Sequence, residues 1–571
     1  MTSEEFLQQF GHFVDAPDGV QKLRELVLQL AVQGRLVEQV ENDEPVDILL
    51  KNIRETKKEL VDSGVVKKGK SYPVISEDEI PYIIPGSWRW VRINEIGHNW
   101  GQKVPDNNFT YIDVSAINKE AGVIHEPNVL TAKEAPSRAR KIVKYGTVIY
   151  STVRPYLLNV AVIENECIPE PIASTAFAII HPFCGIDARY IYSYLRSPAF
   201  IHYVESVQTG IAYPAINDKQ FFSGYFPLPP LAEQHRIVAK VDELMALCDQ
   251  LEAEKKARYE THQRLIRAVH HPLTEASDAT ATQTAWHRIR DNFSNLYTTL
   301  ESVHALRQTI LQLAVQGKLI QQDPINDESV AELLEESAQQ KAQLIKKKTI
   351  KKQKVLPAIR EEEKPFLLPR GWKWARIGDI LSLKHGFAFK SKYFTEIPTS
   401  YVLTTPGHFY ETGGFRERGG KTKYYSEGVD AEFILEPGDL IIPMTEQAPG
   451  LLGSPAFIPN DGNTYIHNQR LGKLTPFSNA VHSEYLYWFF NSSYLRNELA
   501  SSCSGTTVRH TSPEKVLRVL IPICALSEQK RIVTKVDELM SLCDQLENNI
   551  RNKNNTATKY AEAIVQQIAA A

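Results

Sequence analysis

No run of 18 or more apolar residues occurs in this 571-residue sequence, so no membrane-spanning helix is predicted. The first residues, Met1-Thr2-Ser3-Glu4-Glu5, are polar and acidic rather than basic then apolar, so no signal peptide is expected. Cysteine is scarce. The six (Cys167, Cys184, Cys248, Cys503, Cys524 and Cys543) form no C-x-x-C pair and meet no histidines at zinc spacing, so neither a metal ribbon nor a disulfide framework is predicted. A reducing, cytoplasmic setting follows as the expectation. A basic excess is lacking too: 65 Lys and Arg face 68 Asp and Glu, for a net charge of −3. Charge alone therefore does not nominate a nucleic-acid partner, although a whole-chain sum averages over opposite faces.

Catalytic signatures are also missing. No G-x-x-x-x-G-K-[ST] phosphate loop can be framed on Gly420-Lys421-Thr422, because Phe415 stands where its first glycine must be. H-E-x-x-H, G-x-S-x-G and G-x-G-x-x-G do not occur, nor does the N-P-P-aromatic tetrapeptide of adenine methyltransferases. Glu362-Glu363-Lys364 matches a nuclease-like E-x-K but lies in a charged stretch where chance explains it. The reading is a non-catalytic chain.

What is present is repetition. Glu233 to Glu252 returns as Glu528 to Glu547 with seventeen of twenty positions identical. Leu28-Gln-Leu-Ala-Val-Gln-Gly34 recurs unchanged as Leu311 to Gly317, and Trp88-Arg-Trp90 is echoed by Trp372-Lys-Trp374. The blocks keep their order at offsets of 283 to 295 residues, so each half is a copy of one plan. Between the tryptophans and the Glu-Gln block lie about 140 to 155 residues that barely align between the halves, each stretch long enough for a domain. One frame carries two different inserts.

In the frames, Ile237, Val241, Leu244, Cys248 and Leu251 step by four and three, as do Ile532, Val536, Leu539, Cys543, Leu546 and Ile550. That spacing predicts helices with an apolar seam, paired antiparallel with each other or packed on their own domains. Pro227, Pro229, Pro230 and Pro522 are expected to close an element before each helix. The inserts, 76–228 and 360–521, are rich in Tyr, Phe, Ile, Val, Gly and Pro. They contain strand-like runs such as Thr147-Val-Ile-Tyr150 and Asp439-Leu-Ile-Ile-Pro443. Ala188 to Arg196 and Ser483 to Asn491 match as helices, so the inserts can share one α/β (α+β) fold with mostly antiparallel sheet. The expected division is 1–75 helical, 76–228 first insert, 229–359 helical spacer and linker, 360–521 second insert, and 522–571 helical. Trp88, Trp90, Trp372 and Trp374 are read as core anchors where each insert leaves its frame. The lysine runs (Lys57, Lys58, Lys67, Lys68, Lys70; Lys341, Lys346, Lys347, Lys348, Lys351, Lys352, Lys354) are read as solvated faces, with phosphate contact as the alternative.

The segment Pro227-Leu-Pro-Pro-Leu-Ala-Glu-Gln-His-Arg-Ile-Val238, followed by Lys240-Val-Asp-Glu-Leu-Met245, resembles the conserved region of type I restriction-modification specificity subunits. The Leu-Ala-Val-Gln-Gly blocks and the early tryptophans are similar to the same family. The resemblance implies two target recognition domains, each reading one half of a bipartite DNA site. It implies an antiparallel two-helix coiled-coil spacer with twofold pseudosymmetry that fixes the gap between the half-sites. It also implies that this chain binds no cofactor. Two modification subunits would carry S-adenosylmethionine and adenine methylation, and restriction subunits would use ATP and Mg. The linkers near 50–75, 272–290 and 340–360 are longer than the family leads one to expect.

Base edges are read by side chains such as Arg on guanine and Asn or Gln on adenine. In the first insert the candidates are Arg138, Arg140 and Lys141 in a basic turn after Pro136, then Arg154, Tyr156 and Asn159 after a strand. Thr209, Gly210 and Tyr213 follow, in a glycine-containing loop that resembles a family loop close to DNA. In the second insert they are Lys384, His385, Lys390, Lys392, Lys421, Lys423, Asn468, Gln469 and Arg470, with Thr506, Arg509 and His510 at the place of 209–213. Competing readings remain: a protein-binding adaptor with two ligand domains, which the acidic balance accommodates, and a fused single-chain enzyme, which the missing motifs disfavour.

Overall fold

The computed structural model describes residues 2–66, 72–73, 75–210, 213–276, 279–323, 325–351, 354, 356–503 and 509–570. The chain forms two compact units, Met1–Glu260 with Asn552–Ala571, and Thr261–Arg551. Two 45-residue helices, Leu231–Glu275 and Leu526–Ala570, each begin in one unit and end in the other.

In the first unit, strand Arg89–Arg92 pairs antiparallel with Tyr225–Leu228 and closes the insert on itself. Between them lie two four-stranded sheets. One contains Asn128–Leu130, Phe109–Ile112, Pro171–Ser174 and Ala139–Ile142 in that order, with Phe109–Ile112 parallel to Pro171–Ser174. The other contains Gly97–His98, Phe177–Pro182, Val148–Ser151 and Val160–Val162, all antiparallel. The second unit repeats the plan. Lys373–Arg376 pairs with Leu520–Ile523, and Tyr401–Thr404 runs parallel to Thr464–His467. Leu381–His385, Leu471–Pro476, Leu440–Pro443 and Ala456–Phe457 form the antiparallel sheet. The inserts thus share one fold despite their divergent sequences. Helices Ala188–Leu195 and Ser483–Asn491 are the matched pair expected.

One expectation is corrected. Pro227 and Pro522 do not end an element: they lie inside the closing strands opposite Trp90 and Trp374, where a two-stranded ribbon leaves an edge that needs no proline N–H. The long linkers contain helix, as the helical reading of 1–75 and 229–359 expects: Val46–Asp62, Ala279–Asp291 and Val330–Lys346 reach into them. Two lysines of the runs donate to backbone carbonyls, Lys57 to Asn94 O (3.1 Å) and Lys341 to Gly378 O (2.6 Å), and Lys354 lies 3.6 Å from Glu514. Lys67, Lys68, Lys70 and Lys352 lie outside the described residues.

The stepped seam packs inside each unit. Ile237, Val241, Leu244 and Cys248 are buried with Leu23, Leu26 and Val27 of helix Gly19–Val32, and Leu251 lies against that cluster. Ala561 and Val565 of the other long helix join the same cluster. In the second unit Ile532, Val536, Cys543 and Ile550 are buried with Val303, Leu306 and Ile310 of helix Leu300–Val315, with Leu539 and Leu546 half-buried beside them. Ion pairs border both contacts: Arg24 with Asp249 and Glu252, Arg307 with Asp544 and Glu547.

The three repeated blocks meet at one junction in each unit. Gly34 ends its helix at φ +71°, and a β-carbon there would lie 2.4 Å from Pro85 and 3.1 Å from Trp88; Gly317, at φ +68°, faces Pro369 and Trp372 in the same way. Trp88 and Trp372 are buried. Gln39 donates to Glu233 (2.5 Å), and Trp372 Nε1 donates to Glu528 Oε2 (3.0 Å). Gln234 accepts from Asp187 N (2.8 Å) and donates to Pro229 O (3.0 Å). Gln529 accepts from His482 N (2.8 Å) and donates to Ala480 O and Cys524 O. Arg236 and Arg531 form two-pronged pairs with Asp43 and Asp327. The Glu-Gln-x-Arg repeat thus bolts each insert onto the start of its helix, and its spacing puts all three side chains within one helical turn.

Candidate nucleic-acid interface

In the first unit two loops join beside strand Val148–Ser151. Thr152 N–H donates to Ala176 O (2.8 Å) and Ile216 N–H to Thr152 O (3.0 Å), while Val153 bridges Ala215 and Ala215 bridges Thr209. Arg154 N–H donates to Pro214 O (2.8 Å). Arg154 holds a left-handed backbone, φ +49°, which a non-glycine residue adopts at a cost. Its guanidinium lies 4.8 Å from the centre of the Tyr213 ring. Tyr156 and Tyr213 are 50% and 69% exposed, so Arg154, Tyr156, Thr209, Gly210 and Tyr213 form one polar, aromatic surface patch. Gly210 sits at φ +94°, and a β-carbon there would lie 2.8 Å from Tyr213 O.

The basic turn after Pro136 is only partly a turn. Arg138 is exposed, but Arg140 and Lys141 belong to strand Ala139–Ile142. Strand alternation turns Lys141 inward, where it is buried, donates to Phe177 O (2.6 Å) and lies 3.6 Å from Asp218. Asn159 is also buried, its carbonyl accepting from Ser151 N. These two positions support the loops from beneath.

The second unit builds the same junction from different side chains. Met444 N–H donates to Arg470 O (2.8 Å), Thr511 N–H donates to Met444 O (3.0 Å), and Thr445-Glu446 pairs antiparallel with Arg509-His510. Asn468-Gln469-Arg470 is the turn of a hairpin, pinned by Gln469 N–H to Phe387 O (2.9 Å) and by Asn468 Oδ1 accepting from Arg470 N (3.0 Å). His467, just before the turn, is buried with Nε2 3.1 Å from Leu471 O, and burial lowers its pKa to about 4, so it stays neutral there. Lys384 is engaged by Glu432 (2.9 Å) and lies over the Phe433 ring. His385, at the end of the same strand, is exposed. Lys390, Lys392, Lys421 and Lys423 are exposed around strands Phe394–Thr395 and Tyr424–Tyr425, with Lys392 over the Tyr393 ring. Thr506 lies outside the described residues.

The first-insert counterpart of Asn468 to Arg470 was not singled out from the sequence. It is Ser174-Thr175-Ala176, whose Ser174 Oγ accepts from Ala176 N (3.3 Å). It carries no charge or amide, so only the repeat offset could have pointed to it. Glu446 was missed for a different reason: a carboxylate is not a residue type expected to face DNA phosphates. Another unexpected cluster joins His98, Trp100 and His181, with Lys144 3.7 Å from the Trp100 ring centre. Burial, then the neighbouring His181 and Lys144, lowers the His98 pKa to about 4. Among the described residues no group of three or more His, Cys, Asp or Glu is arranged to hold a metal, and no helix is long and apolar enough to cross a membrane.

A family model described as the type I restriction modification DNA specificity domain matches residues 86–261 and 369–554, one stretch per insert with the start of its long helix. The chain belongs to that family. It is a specificity subunit of a type I restriction-modification system, with two target recognition domains. The specificity subunit of the Escherichia coli type I restriction enzyme EcoAI is 34% identical over 556 residues, covering 96% of this chain and 93% of that protein. That of E. coli EcoEI is 31% identical over 560 residues, with the same coverage. A chain from a solved structure concerned with assembly and conformational transition of the type I R-M system shares the fold. Its TM-score is 0.53 at 23% identity, over 86% of this chain and 99% of that one. The protein-binding adaptor is not favoured.

Proposed function

We propose that this specificity subunit reads a bipartite double-stranded DNA target, one half-site per recognition domain, and does no chemistry itself. Two modification subunits, which hold S-adenosylmethionine, would methylate adenine at the selected site. Restriction subunits using ATP and Mg would cleave unmodified DNA, all within the cytoplasm. The observation that carries this reading is one fold used twice, on duplicated junctions, with different side chains at the matched loops. The 76–228 and 360–521 inserts are the readers, and the long helices set the separation of the half-sites. Arg154, Tyr156, Thr209, Gly210 and Tyr213 present the first reading surface. Asn468, Gln469, Arg470, Arg509 and His510 present the second. Arg138, Arg140, Lys390, Lys392, Lys421 and Lys423 meet phosphates, which position the domain without specifying sequence.

The test is methylome sequencing of cells expressing this chain with its cognate modification subunit, against cells lacking this chain. A new bipartite methyladenine motif is expected. Its absence, with both proteins present and associated, contradicts the reading.

A further inference from the structure

The two recognition domains can be aligned at their reading surfaces through backbone hydrogen bonds rather than through sequence. Thr152 and Met444 each donate to the hairpin turn, Ala176 O and Arg470 O, both at 2.8 Å. Each accepts in turn from a later residue, Ile216 N and Thr511 N, both at 3.0 Å. The next residue starts a strand-like pairing in both: Val153 with Ala215, and Thr445 with His510. Asn217 and Ser512 then cap the following helices, Asp218–Phe222 and Pro513–Arg518. In this alignment Arg154 corresponds to Glu446 and Pro214 to Arg509.

The side chains at that position pair differ in an instructive way. In the first domain Arg154 faces Pro214, which offers only its carbonyl, and the guanidinium lies on the Tyr213 ring. In the second domain Arg509 stands opposite Glu446 in register. Its Nε lies 3.8 Å from the carboxylate, while the other Glu446 oxygen accepts from Gly450 N (3.1 Å). The arginine stands on opposite strands of the pairing in the two domains, so each junction still carries one guanidinium. Each is oriented by a neighbour, an aromatic face or a carboxylate, that leaves the outer N–H groups available. Among the described residues no carboxylate forms an ion pair with Arg154, and Arg509 is 58% exposed on its side chain.

We infer that Arg154 and Arg509 are equivalent specificity-determining residues, each reading a guanine at one position of its half-site. A guanidinium fork matches the two acceptors on the guanine major-groove edge, N7 and O6, better than any other base. Holding the fork in advance reduces the entropy lost on contact. The strained Arg154 backbone is then the local cost of aiming it. Arg138 differs: it is exposed in a turn, and among the described residues no ring or carboxylate orients it, which suits phosphate.

The inference rests on each domain being a half-site reader, and one experiment separates the two. Methylomes are compared for the wild-type chain, Arg154→Gln, Arg154→Lys, Arg509→Gln and Arg509→Lys, each expressed with the modification subunit. The wild type should give a bipartite motif with a guanine in each half-site. Arg154→Gln should lower preference for that base pair about 10- to 100-fold, in the first half-site alone. Arg509→Gln should do so in the second alone. The lysine variants keep the charge without the fork and should relax the same single position while methylation persists. They guard against loss of folding in the glutamine variants, as does thermal unfolding of each. Variant motifs identical to wild type, or occupancy that falls evenly at all sites, would overturn the assignment and leave the half-site reading standing. A wild-type chain that yields no motif would instead sink that reading.

Discussion

Trp372 Nε1 donates to Glu528 Oε2 across 3.0 Å, joining the residue just before the first strand of the second recognition domain to the first turn of a long helix 156 residues away. Both side chains are buried. Burial raises the Glu528 pKa, with the Trp372 bond opposing it, so the ionised form is held at a desolvation cost that the hydrogen bond offsets. Glu528→Gln keeps an acceptor and removes the charge, so it should be neutral or stabilising at pH 7. Because the folded pKa is raised, the wild type should gain on this variant as pH falls. Trp372→Phe leaves a buried carboxylate without its donor and should cost about 1–3 kcal/mol. Urea unfolding of both variants at pH 7 and pH 5 decides; equal losses for Gln and Phe would contradict the account.

At the same junctions Gly34 and Gly317 combine positive φ with backbone pressed against proline and tryptophan rings. Alanine at either position meets both obstacles, strain and a sub-3 Å contact. Each substitution should cost at least ~2 kcal/mol. Thermal unfolding should show it, whereas Gly64→Ala, at φ +75° in open space, should cost only the strain.

His270 sits buried between Tyr297 Oη (2.7 Å from Nε2) and Thr309 Oγ1 (2.9 Å from Nδ1), and burial lowers its pKa to about 4. The folded chain keeps it neutral while the unfolded chain protonates near pH 6.5. Its contribution is therefore present above about pH 6.5 and lost as pH falls toward 4. His270→Gln should be less stable at pH 7.5 and should lose less on acidification. His408 and His467 titrate in the same window, so the slope should be reduced and not abolished. A variant with an unchanged slope would contradict this.

Arg138 and Lys141 are three residues apart yet should behave oppositely. Arg138→Ala should fold normally, weaken DNA binding by the assembled complex at every sequence, and reduce the salt dependence by about one phosphate contact. Lys141→Ala removes a buried donor to Phe177 O and should lower thermal stability. Salt-dependent binding alongside unfolding separates the two; reversed results would mean the strand faces were misassigned.

The frames were legible in the sequence because duplication marks what packing must keep. The Gln-Gly, Trp-x-Trp and Glu-Gln-x-Arg blocks recur because they touch one another in each unit. The reading surface was legible where it carries basic, amide or aromatic side chains or a turn glycine. Arg154 and Arg509 stand out by residue type, but Ser174 to Ala176 and Glu446 became visible through hydrogen bonds between segments distant in sequence. Lys141 and Lys384 looked like surface cations because residue type says nothing of facing: one turns inward on its strand, and the other is taken by Glu432. The linker helices were not delimited from the sequence because, as in Val46–Asp62, they bury one short apolar stripe (Val46, Leu49, Leu50, Ile53) among many charges.

Each insert is closed by its own strand pair, Arg89–Arg92 with Tyr225–Leu228 and Lys373–Arg376 with Leu520–Ile523, which supports the proposal that each domain reads its half-site independently. The most direct measurement exchanges residues 76–228 for the corresponding insert of another specificity subunit and sequences the resulting methylome with the same modification subunit. The expected outcome is a motif in which one half-site changes while the other, and the gap between them, stay as they were. Both half-sites changing together, or neither, would contradict it.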